Sequence, residues 1–61
     1  MDSAKKVAVA FCELHGPVEM PGDYLEDAAS AWGVHPEDEE WRDRVRREVD
    51  AYRRGWRPGM R

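Results

Sequence analysis

An all-α fold of three short helices is what this sequence predicts, on three observations. Apolar residues recur at helical spacing in three separate segments, glycines stand where those segments end, and no segment offers a partner for a strand. At 61 residues the chain has room for one domain at most. The expected helices cover about 3–15, 23–32 and 36–54, with a flexible tail over 56–61.

The first helix begins where Asp2 or Ser3 can cap it and stops at Gly16-Pro17. Val7, Phe11 and Leu14 share its apolar face. Val7, Val9 and Phe11 also alternate with smaller residues in the manner of a strand, but an isolated strand leaves its backbone groups unpaired. A strand shared with another molecule stays open as an alternative. Residues 16–22, with two prolines and two glycines, form a linker that no helix can cross. The second helix opens on Asp23 with Glu26 three residues on, a capping-box pattern, and carries Leu25, Ala28, Ala29 and Trp32 as one stripe. Gly33 is placed to close it, with Val34 supplying the apolar contact of such a cap.

The third helix is expected to start at Pro36, whose missing N–H would be unpaired there anyway, and to end at Gly55. Trp41, Val45, Val49, Tyr52 and Trp56, spaced by three and four, form its stripe. Its other faces hold opposite charges four apart, among them Asp38–Arg42, Glu40–Arg44, Asp43–Arg47 and Asp50–Arg54. Acids crowd its first turn and arginines its last, which the helix dipole favours. The second and third helices are expected to meet at the Gly33 turn as an αα-corner, with Trp32 and Trp41 packing across it and the first helix more loosely tied.

Charge is distributed unevenly. Residues 1–6 carry +1, residues 7–41 carry nine acids and no Lys or Arg, and residues 42–61 carry +5. Cys12 is the only cysteine, so an internal disulfide is excluded, and a lone thiol suits a reducing, cytoplasmic setting. Lys5 and Lys6 before an apolar run imitate the start of a signal peptide, but Glu13 and His15 cut the run short and no cleavage site follows. The longest apolar run, Val7 to Cys12, falls far short of the roughly 20 residues of a membrane span.

Motifs that would carry chemistry are weak. Cys12 and His15 share a helical face and His35 is a third candidate, but three ligands without a second close pair match zinc spacing poorly. Neither a metal nor another cofactor is expected, and catalysis by so short a chain lacks room for a cleft. Glu37 to Glu40 lack the loop glycine and alternate spacing of a calcium loop. Ala29, Gly33 and Val34 resemble the middle of a helix-turn-helix motif, which would imply a DNA-binding regulator. The second helix of that motif enters the major groove by its N-terminus, and here that end is Glu37, Asp38, Glu39 and Glu40, facing a phosphate polyanion.

A small helical core is marginal without help, so association with another protein or with a second copy is expected. Tryptophan and arginine dominate binding hot spots. The expected function is therefore a non-enzymatic interaction module, an accessory subunit, inhibitor or adaptor. Its expected contacts are Trp41, Tyr52, Arg53, Arg54, Trp56 and Arg57, together with the acidic run Glu37, Asp38, Glu39 and Glu40.

Overall fold

The computed structural model describes residues 3–57. Three helices follow one another: α1, Ser3–His15; α2, Gly22–Ala31; and α3, Glu39–Arg53. The three-helix, all-α class expected from the sequence is the fold. No helix among the described residues is long and apolar enough to cross a membrane.

α1 buries a broad stripe, Ala4, Val7, Ala8, Phe11 and Cys12, the i, i+3, i+4, i+7, i+8 rows of one face. That face packs mainly on α3, through Trp41, Val45 and Val49. The two helices run in the same direction. Ser3 meets Trp41 where both begin, and Arg53 Nε–H donates to the Pro17 carbonyl at 3.0 Å where both end. α2 runs back alongside α1, with Lys6 of α1 over Trp32 at its end and Phe11 against Tyr24 near its start. The first helix is thus the centre of the molecule, not the loosely tied element the sequence suggested. A corner between α2 and α3 is compatible with this course, but the closest pairing is α1 with α3.

The core is completed by Leu25 and Ala29 of α2 and by Met20, which reaches it from the linker. Leu14, expected on the core face of α1, is 74% exposed. The buried rows centre on Ala4, Ala8 and Phe11, and Leu14 falls at their edge, one turn past Ala10.

Glycine closes every helix. Gly16 (φ 85°) donates its N–H to the Cys12 carbonyl, a single-bond left-handed cap, and the chain then turns tightly about Pro17 with Val18 N–H on the Gly16 carbonyl. α2 ends in a full Schellman turn: Gly33 N–H bonds Ser30 O at 3.2 Å and Val34 N–H bonds Ala29 O at 2.8 Å. Val34 packs back on the core, as that motif expects. α3 repeats the device, with Gly55 N–H on Tyr52 O and Trp56 N–H on Ala51 O, both at 3.1 Å. Trp56 and Arg57 are therefore held by the turn, while residues 58–61 of the expected flexible tail lie outside the described residues.

Two helix starts differ from expectation. α2 begins at Gly22 behind Pro21, without a side-chain cap, so Asp23 stands inside the first turn and the Asp23–Glu26 capping box does not form. Its carboxylate there still opposes the positive helix end. α3 begins at Glu39, not Pro36. Asp38 caps it, its Oδ1 accepting Trp41 N–H at 3.0 Å. Pro36 and Glu37 form a turn that His35 organises, its carbonyl accepting Asp38 N–H and its Nδ1 accepting Glu37 N–H. Asp2, the other candidate cap of α1, lies outside the described residues.

Candidate docking surface

The contact residues expected from sequence separate into three groups. Trp41 belongs to the core. It is 8% exposed, and its Nε1–H donates to the Ser3 hydroxyl at 2.9 Å, so the ring is not offered to another molecule.

The second group gathers at the end of α3. Tyr52 is half-buried, with the Arg57 guanidinium carbon 4.0 Å from its ring centroid. Arg57 Nη1–H also donates to the Tyr52 and Trp56 carbonyls, the first of which already accepts Gly55 N–H in the closing turn. Trp56 is half-buried with Lys5 Nζ 5.4 Å from its ring. Arg53 and Arg54 are exposed, and Arg54 pairs with Asp50. A guanidinium has five N–H donors, so these arginines keep donors for another molecule beyond the bonds they make here. Asp43, expected beside Arg47, pairs with Arg46 at 3.6 Å. Arg42, expected beside Asp38, instead donates to the Pro36 carbonyl at 3.1 Å, while Asp38 Oδ1 serves as the cap.

The third group, Glu37, Asp38, Glu39 and Glu40, is exposed at the start of α3. The 15 residues of α3 separate it from the arginine group by about 22 Å at 1.5 Å per residue. Residues 32–38 separate α2 from α3. That connection is longer than the roughly 3–4 residues of a helix-turn-helix turn, and it delivers carboxylates where such a motif reads DNA.

A further surface was not legible as a site. Leu14, Val18 and Trp32 are 74%, 51% and 47% exposed. Trp32 was expected to pack on Trp41. Instead it is the last residue of the α2 cap, and the Schellman turn seats Val34 on the core in its stead. Two open clefts run along the α1–α2 seam. One, of ≈ 360 Å³, lies over Val7, Ala10, Ala28 and Ala31, between Tyr24 and Trp32, with Lys6 and Asp27 on its rim. The other, of ≈ 260 Å³, lies over Phe11, His15, Val18 and Pro21 and shares Tyr24 with the first. The rings of Phe11, His15 and Tyr24 meet tilted or edge to face, with centroids 4.9–6.0 Å apart. The one sequence signal for it was the absence of Lys and Arg from residues 7–41.

Cys12 is buried beneath α3. Burial raises its thiol pKa above the ordinary value of 9.0, against a smaller downward pull from Arg57 and Arg53. Such a thiol is held protonated, the opposite of what a nucleophile needs. Among the described residues no three His, Cys, Asp or Glu side chains converge in a manner that could hold a metal ion. No family model, curated protein or solved structure matches this chain.

Proposed function

We propose that this chain is a non-enzymatic protein-interaction module, an accessory subunit, inhibitor or adaptor working in a reducing compartment. The observation that carries this reading is the apolar seam between α1 and α2, where Trp32 and Val18 stay exposed in two clefts that share Tyr24. Contiguous apolar surface on a small protein marks a contact with another molecule. The arginine group at the end of α3 supports the same reading as a second contact, preorganised by its glycine turn. Tyr52, Arg53, Arg54, Trp56 and Arg57 make it up, and the exposed acids Glu37 to Glu40 add a charged rim at the other end of α3.

The test is crosslinking of the tagged chain in its own cells, followed by mass spectrometry and sizing of the purified complex. One protein recovered at fixed stoichiometry is expected. A monomer that crosslinks to nothing overturns the reading. In a gel shift on random duplex DNA at low salt, no retention is expected. Salt-sensitive retention would instead favour a DNA-binding regulator approached through the arginine end.

A further inference from the structure

We infer that the cleft between α1 and α2 seats a basic amphipathic helix of a partner protein, an inference that rests on the interaction reading above and names its occupant. The floor is built of small side chains, Ala10, Ala28 and Ala31, which let another helix approach closely, and Trp32 and Tyr24 stand at its two ends. α2 has ten residues, about 15 Å of length, so the cleft accommodates roughly three turns of a second helix. A helix laid in such a groove inserts its anchors at i, i+3, i+4 and i+7.

Charge selects among the possible occupants. Asp27 lines the cleft, Asp23 stands one turn before it on the same row of α2, and Glu13 flanks Ala10 on α1; all three are exposed. No Lys or Arg occurs from residue 7 to residue 41, so Lys6 is the one cation on the described lining. Its Nζ lies 5.5 Å from the centroid of the Trp32 ring, which shows the ring face already accepting a cation beside the acidic rim. A second copy of this chain is a poor occupant. It would bring acidic α1 and α2 surfaces against the acidic rim, and its α3 turns Trp41, Val45 and Val49 inward.

The experiment is fluorescence anisotropy of the purified chain with three dye-labelled synthetic helices. One has a leucine stripe and lysines elsewhere, one replaces the lysines by glutamates, and one replaces the leucines by alanines. The leucine–lysine helix is expected to bind, more weakly as salt rises. The other two are expected to bind at least about tenfold more weakly, since each lacks one of the two recognised features. Trp32→Ala and Asp27→Lys should each weaken the leucine–lysine helix about tenfold or more, while Arg47→Ala, at an exposed position of α3 outside the cleft, should leave it within about twofold. Circular dichroism of each variant checks that the helices are intact. Equal binding of the lysine and glutamate helices overturns the inference, as does unchanged affinity in both cleft variants. A wild-type dimer that Trp32→Ala dissociates overturns it in favour of self-association. Variants that still crosslink in cells to the wild-type partner overturn the cleft and leave the interaction reading standing. A wild-type chain that crosslinks to nothing removes both.

Discussion

Ser3 and Trp41 stand 38 positions apart, yet the hydroxyl of one accepts the indole N–H of the other at 2.9 Å in a partly buried place. Ser3→Ala should cost about 1–2 kcal/mol, because the indole N–H loses its acceptor without gaining full access to water. A denaturant midpoint shift at unchanged slope is the measurement; no shift would mean water replaces the hydroxyl. Cys12 makes a prediction in the alkaline range. Burial raises its folded pKa above the unfolded value, so folding holds the proton that the unfolded thiol releases. The unfolded state then binds fewer protons, and stability falls as pH rises above about 9 and on through the folded pKa, being fully present below the unfolded value. The readout is the difference in stability between wild type and Cys12→Ala, which should narrow as pH rises. At this scale the sequence distinguished poorly between buried and exposed members of one residue type. Trp41 and Trp32 both sat on apolar stripes, and only the turn at Gly33, by seating Val34 on the core, left Trp32 outside.

Helix ends were more legible than helix starts, for a physical reason. A helix C-terminus followed by glycine has few alternatives, since the left-handed residue is hard to supply otherwise. Gly16, Gly33 and Gly55 all adopt positive φ where the sequence placed the stops. Starts are degenerate, because proline and aspartate both signal them. The sequence marked Pro36 as the start of α3, but Asp38 caps it, and His35 bonds Glu37 and Asp38 into the turn that precedes it. Gly33→Ala should cost about 1–2 kcal/mol. The added Cβ would meet nothing within 4 Å, so the loss is one of backbone alone, and Gly33→Asn should recover part of it. Asp38→Ala should cost about 1 kcal/mol by removing the acceptor of Trp41 N–H. Thermal melts by circular dichroism read both, and equal melting of the two Gly33 variants would contradict the left-handed turn.

The described residues have a radius of gyration of 10.8 Å, close to the roughly 10–10.5 Å expected of a compact domain of this size. Compactness does not imply a margin. Domains hold about 0.05–0.15 kcal/mol per residue, about 3–9 kcal/mol here. Leu25 is fully buried, and Leu25→Ala should cost about 2–5 kcal/mol. The variant should melt far lower and broadly, if it folds, whereas Leu14→Ala at the exposed edge should stay within about 0.5 kcal/mol of wild type. The class and number of helices were legible because they follow from local periodicity. Which helix packs on which was not, because α1 and α3 are joined only through residues between them, and nothing local in either names the other. That pairing has a consequence for synthesis. Phe11, Val7 and Ala8 emerge early, but the helix that covers them is completed only at Arg53 and fastened at Trp56. Nascent chains halted before that point should be protease-sensitive peptides, and fragments ending near Tyr52 should lose the Arg53 tie to Pro17 along with the arginine group, so that shortening the chain and disarming its surface become one event.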